Sequence, residues 1–188
     1  MITQEILLQR IEAKGIYNFR DLLDSHATVC PEDELQDKIL NTIELFAFGG
    51  CPNYAKEPNK YIALTDRAKQ KLVELSILSK LGENVGNEVK YTELLPIVQP
   101  YVRDIPTLDM VLISMIDAQT VKLKIDEERS LLRIFDTPVL RDAYNETNYR
   151  LRNIKHEHLM VMSVGRAKKI LQKWLHESVV PVRKELCG

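Results

Sequence analysis

Cysteine and glycine are scarce in this chain, and it has a single tryptophan in 188 residues. Its three cysteines, Cys30, Cys51 and Cys187, are odd in number and far apart. They do not form the paired framework that staples small secreted domains, and they predict a reducing setting, the cytoplasm and nucleus. No apolar run approaches the roughly 20 residues of a helical membrane span. Glu5, Gln9 and Arg10 break up the first apolar residues, so no signal peptide is expected. Asn145-Glu146-Thr147 spells a glycosylation sequon, which has no meaning without a secretory route.

Patterns that carry chemistry are equally sparse. Gly49-Gly50 lacks the Lys and Ser/Thr that complete a phosphate loop. Cys51 has no histidine at a recognisable catalytic spacing and reads as a packed thiol. His156-Glu157-His158 sets two imidazoles two apart, as in the JAMM metalloprotease motif. That motif also needs a downstream Ser and a ligating Asp, and no aspartate follows Asp142. On a helix, residues two apart point to different sides, so solvated histidines are the expectation. With no nucleophile–base–orienter set and no ligand cluster, the sequence predicts no enzyme activity, cofactor, metal or small-molecule substrate.

What is present is an ordinary globular composition, 45% apolar and 28% charged. The length fits a large single domain, or one domain with a helical extension. The net charge of −1 is unevenly spread. Residues 1–64 hold 6 basic and 10 acidic side chains, residues 65–137 hold 10 and 12, and residues 138–188 hold 10 and 5. The basic surplus at the end is dispersed along helical sequence, as on a solvated helix face.

Apolar periodicity is mostly helical. Met1 to Ala13 forms an amphipathic stripe of Ile2, Ile6, Leu7 and Ile11, stopped by Gly15. Asn18 to Ser25 makes a short second helix with Phe19, Leu22 and Leu23 on one face. From Pro31 a segment apolar on more than one side runs through Ile39, Ile43, Phe46 and Phe48, which predicts a helix buried among others. The Gly49–Asn53 stretch breaks it. Thr65 caps a helix that closes at Gly82, and Val89 to Val98 reads as a further short helix. Asp104 or Thr107 caps the next. There Leu108, Val111, Leu112, Met115 and Ile116 make one stripe, before the period drops to two at Val121, Leu123 and Ile125. Asp126 to Ser130 turns the chain into Leu132 and Ile134. Three helices followed by a hairpin predict a winged helix, a fold usually associated with DNA. Its third helix, however, carries Asp109 and Asp117 and no Lys or Arg. Groove insertion is disfavoured, and a nucleic-acid role would rest on Lys122, Lys124, Arg129, Arg133 and the basic tail. Last comes a long helix, or two with a break near Gly165, in which Met160, Val164, Ala167, Leu171 and Trp174 form a narrow seam widened by Ile170 and Leu175 and ending at Pro181. The seam packs on its own domain or in a helical bundle, and the pattern leaves both open.

Several of these segments resemble one family. Ile16-Tyr17-Asn18-Phe19-Arg20-Asp21-Leu22-Leu23, then Leu45-Phe46-Ala47-Phe48-Gly49 with Tyr54, are similar to elements of the subunit 7 family of the COP9 signalosome. So are Leu64-Thr65 through Ile77 and Ile105 to Asp126, and Arg141-Asp142 and Trp174 also find counterparts. The order is preserved along nearly the whole chain. The resemblance implies a PCI domain, a mainly α fold of helical repeats ending in a winged helix. Such subunits are noncatalytic scaffolds of three assemblies: the signalosome, the proteasome lid and translation initiation factor 3. They associate through winged helices and a bundle of C-terminal helices, while a metal-bearing subunit removes the ubiquitin-like modifier from cullins. The chain departs from the family at residues 143–168, which look inserted, at the 126–129 turn, at Gly82 to Asn87, and in lacking a lysine-rich tail.

The expected organisation is a helical-repeat part over 1–64, a winged-helix part over 65–137 and a C-terminal helical extension over 138–188. Met110 and Ile113 lie off the main stripe of the third helix. They meet a neighbouring subunit or fill the gap between winged helix and helical stack. Lys122, Lys124 and Arg133 on the wing, and Val164, Leu171, Trp174 and Leu175 on the seam, complete the candidate protein interface. The partners expected are other PCI and MPN subunits of a large assembly.

Overall fold

A computed structural model describes residues 2–26, 31 and 33–180. Cys30, Cys187 and Pro181 lie outside the described residues. The protein is mainly helical, with one small sheet.

The first half is a helical stack. α1 (Gln4–Glu12) is capped by Thr3, whose hydroxyl accepts from the Ile6 amide, and buries Leu7 and Ile11. Ile6, expected on that stripe, points outward instead. α2 (Arg20–His26) buries Leu23, with Phe19 enclosed just before it. α3 (Glu34–Phe48) starts three residues after Pro31 and is capped by Asp33, which accepts from the Gln36 amide at 2.7 Å. From Ile39 to Phe48 every residue of α3 is buried, as its all-round apolar pattern requires. The Gly49-Gly50 break permits close packing. A Cβ at Gly50 would meet Ser76 Oγ at 2.7 Å, and one at Gly49 would meet the Ile154 side chain at 2.8 Å. A short helix that the sequence pattern did not reveal, α4 (Cys51–Lys56), follows directly.

α5 (Asp66–Gly82) begins at the expected cap, where Thr65 Oγ1 accepts from the Ala68 amide at 3.1 Å. The stretch expected as one helix from Val89 divides in two: strand β1 (Glu88–Lys90), then α6 (Tyr91–Val98). Val89 is buried opposite Leu132, and a three-residue strand is too short to show a period of two. α7 (Ile105–Asp117) is capped by Asp104, which accepts from the Thr107 amide at 2.8 Å. The hairpin β2 (Lys122–Asp126) and β3 (Leu131–Asp136) follows. The antiparallel sheet has the order β1-β3-β2, so β3 is central. Its inner face (Val89, Leu132, Ile134) is buried in one core with Leu108, Leu112 and Met115 of α7.

After β3 the chain returns over the helical stack. Residues 143–163 are largely irregular, yet Tyr144, Ile154 and Val161 are buried. The expected seam began at Met160; instead α8 (Val164–Trp174) begins four residues later, capped by Ser163. Met160 is not helical because its amide donates to Phe48 O at the end of α3, at 3.0 Å. α8 runs on into a π-helical turn, Leu175–Val179.

Candidate interaction surfaces

Three charged side chains, Glu44, Arg141 and Asp142, fix the returning segment. Glu44 sits in the apolar run of α3 with 0% of its surface exposed. Its Oε1 accepts from the amides of Asn153 and Ile154 at 2.9 and 2.8 Å. Its Oε2 accepts from the Arg152 amide at 2.6 Å and the Tyr149 hydroxyl at 3.1 Å. A carboxylate is all acceptor, so it can satisfy four donors that an apolar interior would leave unpaired. Partial burial, and then the Glu44 charge beside it, push the Tyr149 phenol well above its ordinary range.

Arg141 and Asp142 act in opposite directions. The Arg141 guanidinium is enclosed, although its stem is partly exposed. It donates to the carbonyls of Phe46, Ala47 and Gly49 at the end of α3, and to Leu75 O and Ser79 Oγ of α5. A cation at the negative end of α3 is favourable, and it fills carbonyls that have no partner within the helix. Burial pulls its pKa down to about 10, which leaves it charged at neutral pH. Asp142 Oδ2 accepts from the Phe19 amide at 2.6 Å, at the start of α2. Burial raises its pKa, against the pull of the hydrogen bonds and of Arg141.

The candidate interface residues are on the surface. Met110 is 65% exposed and Ile113 50%, so neither fills a gap inside the fold. Beside them, a groove lined by Val73, Tyr101, Val102, Thr107 and Val111 has a volume of about 400 Å³. Asp109, read as part of an acidic helix face, is engaged within the fold as the acceptor of the Tyr91 hydroxyl. On the sheet, Lys122 pairs with Asp136 at 3.4 Å and Arg133 with Glu88 at 2.7 Å. Lys124 is exposed, opposite Arg133. On α8, Leu171 is 62% exposed and Trp174 58%, and Val164, Ile170 and Leu175 are also exposed. The described α8 does not fold back on its own domain. Phe135 and Leu140 are exposed apolar side chains that the period reading passed over.

The chemical candidates are placed elsewhere. Cys51 is buried, its amide donates to Ser76 Oγ at 3.0 Å, and burial pushes its thiol up to about 11. It is protonated at neutral pH and closed to solvent. His156 and His158 are exposed on a 3₁₀ turn, near Glu146 and Lys56 respectively. Among the described residues no three His, Cys, Asp or Glu side chains are placed to hold a metal ion. No described helix is long and apolar enough to cross a membrane.

The mainly helical fold, with its exposed apolar side chains, is accompanied by similarity to a subunit of a multisubunit complex. That relative is subunit 7 of the COP9 signalosome from Drosophila melanogaster, 25% identical over 130 residues, as the sequence resemblance led us to expect. The match covers 69% of this chain and 45% of the relative, so the chain spans less than half of that protein's length. No family model matches the chain.

Proposed function

We propose that this chain is a noncatalytic scaffold subunit of a COP9 signalosome-type assembly, the complex that performs cullin deneddylation. The similarity to subunit 7 carries the reading. It is supported by the order of elements, a helical stack and then helix, strand, two helices and a hairpin. In this reading residues 1–64 are the helical-repeat part of a PCI domain, residues 65–137 its winged helix, and residues 138–188 a C-terminal extension. Met110, Ile113, Lys122, Lys124 and Arg133 face a neighbouring subunit's winged helix, while Val164, Leu171, Trp174 and Leu175 join a bundle of helices from other PCI and MPN subunits. Hydrolysis belongs to a different subunit, and the assembly works in cytoplasm and nucleus.

Nucleic-acid binding is the rival reading, and the wing offers it little free charge, because Lys122 and Arg133 are paired within the sheet. Replacing Leu171 and Trp174 by glutamate tests the scaffold reading. Both side chains are exposed, so the protein stays folded but no longer co-purifies with its assembly; unchanged assembly removes α8 from the interface. Filter binding at two salt concentrations tests the rival, because tight binding with a steep salt slope would replace the scaffold reading.

A further inference from the structure

The feature left unexplained is the charge of α8. Among the described residues, the hydrogen bonds and ion pairs from the body of the protein to this helix fall in its first turn. The Val164 amide donates to Tyr144 O at 2.8 Å, the Gly165 amide to Glu146 at 3.4 Å, and Arg166 pairs with Glu83 at 3.4 Å. From Lys168 to Trp174 every residue is exposed. Between Val164 and Trp174 there are four cations, Arg166, Lys168, Lys169 and Lys173, and no carboxylate. Among the described residues Lys168 and Lys169 have no acidic partner, and Lys173 reaches only Glu177, at 3.9 Å.

The positions of these cations matter more than their number. Residues three and four apart are neighbours on a helix. Lys168 lies four after Val164 and three before Leu171, on one border of the apolar stripe. Arg166 lies four before Ile170, and Lys173 three after it, on the other border. An uncovered apolar stripe is therefore edged on both sides by positive charge. A groove that receives the stripe brings its two rims against these cations. A basic rim would repel them, whereas an acidic rim pairs with them.

We infer that α8 docks in an apolar groove of a partner protein whose two rims carry aspartate or glutamate. This names the chemistry of the partner at the C-terminal seam and rests on the scaffold reading above. A cationic amphipathic helix with a tryptophan also suits an anionic lipid surface. The protein partner is favoured because the relative is a subunit of a complex.

The test uses the full chain, tagged and purified with its assembly from native cells. A zero-length carbodiimide joins a lysine to a carboxylate only at ion-pair distance. Links from Lys168 or Lys173 to Asp or Glu of another polypeptide are expected. Reversing these two lysines to glutamate is expected to weaken retention in the assembly by about tenfold or more, with loss of its salt dependence. Links confined to this chain, for example to Glu83 or Asp142, would overturn the inference in favour of a fold-back. Retention unchanged by charge reversal would overturn it in favour of a neutral groove. Sedimentation of the free chain with phosphatidylserine vesicles, abolished by the same reversal, would overturn it in favour of lipid. In each of these cases the chain still co-purifies with an assembly. Failure to co-purify at all removes the scaffold reading itself, so the two failures are distinguishable.

Discussion

Replacing Glu44 by glutamine changes almost no volume and removes a charge from a fully buried site, so a simple burial argument predicts stabilisation. The structure predicts the opposite. All four groups around the carboxylate are donors: three backbone amides and the Tyr149 hydroxyl. A glutamine has one acceptor and one donor end. If its NH₂ faces Asn153 and Ile154, two amides lose their acceptor. If it faces Arg152 and Tyr149, the hydroxyl can turn and accept, but the Arg152 amide meets a donor and is left unpaired. The second arrangement is the better one. It loses one hydrogen bond to a charged acceptor, worth about 1.5–3 kcal/mol, and weakens those that remain. We expect Glu44→Gln to lose about 2–4 kcal/mol in urea unfolding. At about 2–4 °C per kcal/mol for a chain of this size, the midpoint falls by roughly 5–15 °C. Hydrogen exchange should localise the damage to the amides of residues 152–154, and trypsin should cut sooner after Arg150 and Arg152. A loss below about 1 kcal/mol, with protection at those amides intact, would refute the carboxylate's role as the acceptor that holds the returning segment.

Other consequences follow from the same geometry. Arg141→Met leaves the carbonyls at the end of α3 without donors in a buried place and should cost about 3–5 kcal/mol, whereas Arg141→Lys, which keeps the charge, should cost less; urea titration ranks the two. The raised pKa of Asp142 means that its contribution to stability is fully present below its ordinary 3.8 and is lost as pH rises through the elevated folded value. Asp142→Asn, which still accepts from the Phe19 amide, should flatten the stability profile in that acid window, and an unchanged profile would exclude Asp142 as its source. Cys51 should resist thiol reagents at neutral pH in the folded protein and react once unfolded, as mapped by mass spectrometry. Since its folded pKa is raised from 9.0 to about 11, its stabilising contribution should decline across that interval as pH rises.

The sequence carried the helical plan well where apolar periodicity was long or a cap residue marked an end. The Thr65 cap, the all-buried α3 and the hairpin are read directly from side-chain pattern, while the cap of α7 was narrowed to Asp104 or Thr107, of which the structure shows Asp104. The pattern failed where an element was too short to repeat its period. β1 has three residues and α4 has six, so neither shows a stripe. The seam was drawn too long because Met160 fits its spacing, but only the folded chain shows that the Met160 amide is taken by Phe48 O. Glu44 gave a usable signal, a lone carboxylate inside a run apolar on every side, while its donors lie more than a hundred residues away and have no local signature. The exposure of Met110, Ile113 and α8 was likewise beyond reach, because a stripe shows which residues share a face and not whether anything covers it.

The central claim is membership of a signalosome-type assembly. The most direct measurement is affinity purification of the tagged full chain from its native cell, with mass-spectrometric identification of what accompanies it. The account predicts PCI and MPN subunits of a COP9 signalosome in fixed proportion to the chain. Recovery of proteasome-lid or initiation-factor subunits instead, or of nucleic acid without protein partners, would contradict it.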